Sequence, residues 1–242
     1  VIETVALGKQ FGRKVALTDL TLRAEPGEVT GFLGPNGSGK TTTIRILMGL
    51  LRPTAGRACI LGRDCQTDST ALKRDVGYLP EEPFLYPYLT GRELLEFVAG
   101  LHGFAAAEAR RRAAEALERF GLAEEQGAFA VSFSLGMRKR LALAAALIHD
   151  PQVLVLDEPT NGLDPQGARQ MRDLMAALAQ AGKTVFLSTH LLDVADRICQ
   201  RVAIIKDGRL RVCGAPGELR ARAGLTADSS LEEVFLSLTN EG

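Results

Sequence analysis

The chain has 242 residues, 46% of them hydrophobic, enough to bury a substantial core as one large domain or as a core with a subdomain. Its 29 basic and 29 acidic residues cancel, so no global field favours DNA, RNA or an anionic membrane surface, and nucleic acid is not expected as a partner. The longest apolar runs, residues 141–148 and 153–156, fall far short of the roughly 20 residues that span a bilayer.

In chain order, strand-like stretches at residues 5–7 and 20–24, and another at 57–61 after a turn at 53–56, suggest a small, mostly antiparallel sheet around the first part of the core. Between them, residues 28–33 (E-V-T-G-F-L) alternate and end on apolar residues. Residues 41–51 carry Ile44, Leu47, Met48 and Leu51 at helical spacing. The strand and helix are joined by residues 34–41, G-P-N-G-S-G-K-T, which is the phosphate-cradling pattern G-x-x-x-x-G-K-[ST]. In that setting the backbone N–H groups from Asn36 through Thr41 point at phosphate oxygens, helped by the positive end of the helix dipole. Gly34, Gly37 and Gly39 permit close approach, Lys40 reaches the outer phosphates, and the Thr41 hydroxyl is placed to ligate Mg²⁺. The expected nucleotide-binding set is Asn36, Gly37, Ser38, Gly39, Lys40, Thr41 and Thr42.

Residues 76–79 form a short apolar run stopped by Pro80, and with Pro83 and Pro87 the stretch to Tyr88 favours an extended loop. Thr90-x-x-Glu93 is a capping box before Leu94, Leu95, Phe97 and Val98, residues 105–120 form a second helix, and a third starts near Ser134. Residues 85–150 thus read as an all-helical insertion in an alternating β/α chain. Arg110, Arg111 and Arg112 are expected on a solvated face, and His102 and His149 are read as structural.

Beyond Pro151, V153-L-V-L156 is uninterruptedly apolar, as buried parallel strands are. Asp157 and Glu158 follow it, at the edge where a parallel sheet presents residues to a ligand, one acid to hold Mg²⁺ and the next to orient water. Asp164-Pro165 opens a helix ending near Gly182, and T-V-F-L-S-T-H190 brings a histidine to the same edge, to donate to a terminal phosphate or to order the attacking water. A helix at 191–198, a hairpin over 202–206 and 209–213, and helix signals at Pro216 and Ser230-x-x-Glu233 complete the chain. Cys59, Cys65, Cys199 and Cys213 lack metal or redox spacing and are expected to be reduced. The V-I-E-T-V-A-L-G-K start has no basic region followed by an apolar core, so no signal peptide and a cytosolic location are expected.

The ordered set G34-P-N-G-S-G-K-T41, S134-L-G-M-R-K-R140, V153-L-V-L-D-E-P-T-N-G-L-D164 and His190 resembles the ATP-binding cassette family, over nearly the whole chain. The resemblance is to a stand-alone nucleotide-binding subunit of a membrane transporter. It implies an α/β fold with a P-loop NTPase (RecA-like) core, a mostly parallel sheet, an antiparallel β subdomain and an inserted helical subdomain. Residues 1–84 and 151–214 would form the core, 85–150 the helical part and 215–242 a helical tail. It also implies ATP and Mg²⁺, with Lys40 on the phosphates, Glu158 activating water and His190 at the γ-phosphate.

In the family, the signature beginning near Ser134 covers the γ-phosphate bound by a partner subunit, with the N–H groups of Gly136 and Met137 as donors, so a head-to-tail dimer with a second ATP-binding subunit is implied. Here F133-S-L-G-M137 departs from L-S-G-G-Q at 133, 135 and 137. Glu81 stands where the family has a Gln near Mg²⁺ and the water, and Phe11 matches the adenine-stacking aromatic, with a core Phe as the competing reading. Asp164 matches the loop between subunits and also suits a helix cap. A membrane permease is the implied partner, one of its helices received in a groove formed by the 81–90 loop and the helical insertion, with the cassette on the cytoplasmic face of the membrane, and the S-x-G-M signature with the S-L-E-E-V-F tail points to the exporter class. The alternatives are a soluble family member acting on ribosomes or DNA, and a GTPase-like switch, for which no N/T-K-x-D motif is present.

Overall fold

In the computed structural model, which describes residues 1–239, the chain opens with the hairpin β1 (Ile2–Phe11) and β2 (Lys14–Ala24). There follow β3 (Val29–Leu33), α1 (Lys40–Leu47), β4 (Ala55–Ile60), β5 (Arg63–Asp64), α2 (Ser69–Leu72) and β6 (Val76–Leu79). Next come α3 (Gly91–Leu101), α4 (Ala106–Arg119), α5 (Leu135–Leu147), β7 (Val153–Asp157), α6 (Pro165–Gln180), β8 (Thr184–Thr189) and α7 (Leu192–Ile198). The hairpin β9 (Arg201–Lys206) and β10 (Arg209–Gly214) leads to α8 (Pro216–Arg222) and α9 (Leu231–Thr239). The last part of the expected tail, residues 240–242, lies outside the described residues.

One sheet has six strands in the order β10-β9-β3-β8-β7-β6, and the other has four in the order β2-β1-β4-β5. In the first, β9-β3, β3-β8, β8-β7 and β7-β6 pair in parallel and only β10-β9 is antiparallel; in the second every pair is antiparallel. Every residue of β3, β7 and β8 is buried, which requires cover on both faces. Because side chains alternate across a strand, Leu154, Leu156, Val185 and Leu187 feed one apolar cluster with Met171, Met175 and Leu178 of α6 and Val194 of α7. Val153, Val155, Phe32 and Phe186 feed the other, with Ile44 of α1 and with Leu7, Leu20 and Ile60 of the antiparallel sheet. A third cluster is built from residues 94–148 and joins Leu94, Leu95, Leu117, Phe133 and Leu141 of the helical insertion.

The helix ends follow the capping chemistry of the sequence. Thr90 and Glu93 exchange both bonds of a capping box, Ser230 and Glu233 do the same, and the Asp164 carboxylate accepts from the Gly167 N–H at 3.0 Å. Helix α1 stops at Leu47, short of the expected 51. Gly49 adopts φ 67°, its N–H donates to the Ile46 carbonyl at 3.0 Å, and the Leu50 N–H reaches Arg45 at 2.8 Å, a Schellman closure. Leu51 still packs on the core, but from beyond the helix. The two-residue β5 and four-residue α2 are too short to show a period and went unread in the sequence. The four cysteines are free.

The arginine run is only partly solvated. Arg111 pairs with Glu108 and Glu115, but Arg112 donates to the Ile148 carbonyl at 3.0 Å and lies 4.0 Å from the Phe104 ring centre, tying α4 to the end of α5. His102 and His149 stack with ring centres 3.7 Å apart. Burial first, then His102, pushes His149 down to about 4, against the opposing pull of Asp75 and Asp150, and burial also lowers His102. The unfolded chain therefore binds protons that the folded pair refuses, so stability should fall as pH drops from 6.5 toward about 4. Thermal midpoints across that range should decline in the native protein and decline less in His149→Phe; equal slopes would place the acid sensitivity elsewhere.

Candidate active site

The sheet gathers four motifs on one edge. Leu33 of β3 pairs with Thr189 of β8, Ser188 of β8 with Asp157 of β7, and Leu156 of β7 with Leu79 of β6. The glycine-rich loop after β3, His190 after β8, Asp157-Glu158 at the end of β7 and Glu81 after β6 thus leave neighbouring parallel strands at their carboxyl ends, where such sheets bind ligands.

The loop is held from two sides. At Gly39, with φ 111°, a Cβ would stand 2.6 Å from the Leu17 side chain and 2.9 Å from the Ala16 carbonyl, so β2 presses on a position that admits only glycine. The Gly208 N–H, in the β9-β10 turn, donates to the Ser38 carbonyl at 3.0 Å. Pro35, Asn36 and Gly37 are exposed at the tip, whereas Thr41 and Thr42 are half-buried on the first turn of α1. The Ser38 hydroxyl is buried and meets no protein partner, an arrangement that is costly until an incoming acceptor engages it. Lys40 is buried, and its ammonium donates to the Gly34 carbonyl at 2.6 Å while lying 3.5 Å from a Glu158 oxygen.

Asp157 is 1% exposed and accepts from the Ser188 hydroxyl. Glu158 sits in the left-handed region at φ 47°, and its N–H donates to the Ser188 carbonyl at 3.1 Å. Its carboxylate meets Lys40 through one oxygen and His190 Nδ1, at 3.0 Å, through the other. With Nδ1 donating, the neutral imidazole presents Nε2 as an acceptor, so the ring hands a proton to a phosphate only when it is protonated. Glu81 is exposed, and its nearest polar partner is the Asn161 amide at 3.5 Å.

These residues fit a nucleoside triphosphate with Mg²⁺. The loop offers N–H groups, an unpartnered buried hydroxyl and an ammonium to phosphate oxygens; Asp157 and Thr41 offer hard oxygens to a metal. Among the described residues no cluster of three or more His, Cys, Asp or Glu makes a cage of its own, and Mg²⁺ is commonly held by one or two carboxylates plus substrate phosphates.

Other expected residues lie apart. Ser134 caps α5, its hydroxyl accepting from the Met137 N–H at 3.3 Å, so one of the two donors read for an anion is already engaged. The Met137 side chain packs on the helical cluster. Ser134 and Gly136 line a cavity of about 350 Å³ with Arg140, Gly162 and Asp164, and no phosphate-loop residue borders it. Phe11, 47% exposed at the end of β1, carries the Lys9 ammonium 4.9 Å from its ring centre, which sets aside the core reading. Two residues escaped the sequence reading. Ser188, one of three hydroxyl residues of β8 with Thr184 and Thr189, fixes both Asp157 and Glu158. Lys139, one turn ahead of the buried Ala142 and Leu143 and so on the inner face of α5, donates to the Glu158 and Asn161 carbonyls.

A family profile described as ABC transporter matches residues 17–161. The chain is 44% identical over 216 residues to the daunorubicin resistance ATP-binding protein DrrA3 of Streptomyces coeruleorubidus, covering 89% of this chain and 68% of that protein. It superposes with a TM-score of 0.91 on a solved ATP binding subunit of an ABC transporter, at 32% identity over 99% of each chain. The dimeric post-hydrolysis state of the ATP-binding cassette MJ0796, bound to ADP and Pi, gives a TM-score of 0.82 at 28% identity, covering 89% of this chain and 98% of that one. Together with the ordered motifs at one sheet edge, these likenesses show that the chain belongs to the ABC transporter family, as one of its ATP-hydrolysing cassettes.

Proposed function

We propose that this cassette closes head-to-tail with a second copy or a closely similar chain around ATP, and that closure drives export of a substrate through a separate membrane permease. The observation that carries this reading is the division of the site. The phosphate loop, Asp157, Glu158 and His190 share one sheet edge, while Ser134 and Gly136 line a different cavity on the outer surface. A signature facing a cavity that its own phosphate loop does not border is suited to serve a partner's loop. The dimeric MJ0796 cassette and the drug-resistance name of DrrA3 support dimer and exporter class respectively.

In this reading Lys40 and the loop N–H groups neutralise the β- and γ-phosphates, and Phe11 offers its ring face to the adenine. Thr41 and Asp157, with Glu81 as the third expected ligand, would hold Mg²⁺, which would supply further charge neutralisation to the phosphates. An arriving phosphate draws Lys40 away from Glu158, and the freed carboxylate takes a proton from the attacking water while His190 holds its other oxygen. Turnover in a lone subunit is slow because half the donors are missing.

The permease contact falls on the helical part, which we take as residues 85–150 together with the preceding loop. Phe84 is 83% exposed, the rings of Phe84, Tyr86 and Phe97 pack edge to face, and Phe84, Tyr86, His102 and His149 line a groove of about 380 Å³. An exposed aromatic patch of this kind suits an apolar helix from another chain. Among the described residues no helix is long and apolar enough to cross a membrane, and the reading places the cassette on the cytoplasmic face, held by the permease.

Glu158→Gln should keep ATP binding, lose about 100-fold or more of turnover, and accumulate an ATP-bound dimer on size-exclusion chromatography. Near-normal hydrolysis would sink the role given to Glu158. Ser134→Arg should leave ATP binding to one subunit intact yet block closure; persistence of both dimer and turnover would remove the trans role of the signature. Co-purification with a membrane subunit supports the transport reading, and co-purification with ribosomes overturns it.

A further inference from the structure

Lys139 is 2% exposed, on a helix whose other buried residues are apolar. A methionine or leucine would fill the same space without the cost of desolvating an ammonium, so the charge needs a reason. Its partners supply one. Lys139 Nζ donates to the Glu158 carbonyl at 3.0 Å and to the Asn161 carbonyl at 2.6 Å. Those carbonyls are the two ends of a single turn, E158-P-T-N161, which the Asn161 N–H also closes onto Glu158 at 3.2 Å. The turn begins at φ 47° on a residue followed by proline, a backbone that side-chain sterics alone do not favour. Burial lowers the Lys139 pKa, while the charges of Glu81, Glu158 and Asp157 pull it back up.

The donor belongs to the helix that Ser134 caps, and the acceptors belong to the turn that carries Glu158. A neighbouring contact runs the same way: Leu135, in the signature position where the family pattern has Gly, lies over Gly162, where a Cβ would stand 2.7 Å from its Cδ2. We infer that Lys139 is a positioning residue that holds the left-handed backbone aiming the Glu158 carboxylate and fastens that turn to the signature helix, so that the two half-sites of one protomer move together. The inference rests on the role proposed for Glu158. Lys139 touches no reacting atom; it acts through the carbonyl of the residue that does.

The test compares Lys139→Met, which removes charge and donors, with Lys139→Gln, whose amide keeps donors without charge. Lys139→Met should lower kcat by about 10-fold to 100-fold, the scale of a misplaced catalytic group. Its KM for ATP and its binding of a fluorescent ATP analogue should stay within about threefold, since the phosphate loop is untouched. Lys139→Gln should restore kcat to within about fivefold of native, the worth of one hydrogen bond. A Lys139→Met enzyme with native kcat overturns the inference, as does a parallel loss of kcat, ATP affinity and thermal stability in both variants. Glu158→Gln, assayed alongside, separates the two claims. Full turnover there overturns the Glu158 role on which this rests, whereas a crippled Glu158→Gln beside an unimpaired Lys139→Met overturns the Lys139 inference alone.

Discussion

A carboxylate taken out of water is tolerated only where donors and positive charge meet it, and Glu158 is 4% exposed with Lys40 3.5 Å from one oxygen and His190 Nδ1 3.0 Å from the other. That meeting joins three separate strand ends. Lys40 follows β3, Glu158 follows β7 and His190 follows β8, so the pairing exists only because those strands lie side by side in parallel with aligned ends. The fully buried central strands, the two apolar layers they feed and the glycine loop pressed by β2 all serve to keep that alignment.

The same arrangement would let the proposed site respond to a bound phosphate. Lys40 is shared between its own loop carbonyl and the Glu158 carboxylate, and a phosphate competes for the same ammonium. In the proposed mechanism a bound phosphate would thus change the partners of the buried acid by drawing Lys40 from it. Ser188 limits what else can shift, because it fixes Asp157 by its hydroxyl and the Glu158 N–H by its carbonyl. Asp157 and Glu158 are thus both referenced to one residue on β8, the strand between β3 and β7.

Much of this was legible because each element announced itself by a local rule. Alternation and apolar runs marked β3, β7 and β8, and Ser, Thr or Asp caps marked α3, α5, α6 and α9. Long-range choices left weaker traces. The stop of α1 at Gly49 depends on a left-handed residue inside a segment whose apolar spacing continues to Leu51. Arg112 looked like part of a solvated run, yet it crosses to the Ile148 carbonyl. Lys139 lies in an M-R-K-R stretch where three basic residues look alike, and only the helix face separates the buried one from its neighbours. Glu81 kept its place after β6, but at an exposed position facing Asn161, so its sequence slot says less about its chemistry than its surroundings do.

Glu158 is held at both ends by a buried lysine, Lys40 at the carboxylate and Lys139 at the carbonyl. The choice of lysine suits both places, since an ammonium is a compact charge with three donors that can swing among acceptors, whereas a guanidinium fixes a planar fork. At Lys40 that freedom suits sharing between the Gly34 carbonyl and the Glu158 carboxylate and, in the proposed mechanism, exchange onto a phosphate. At Lys139 it allows two carbonyls of one tight turn to share one nitrogen at 3.0 and 2.6 Å. One lysine belongs to the phosphate loop and the other to the helix that begins at Ser134, and between them lies Glu158, to which we assign the activation of water. In the coupling we propose, no long relay is needed: the backbone of Glu158 alone links the carboxylate beside Lys40 to the helix capped by Ser134.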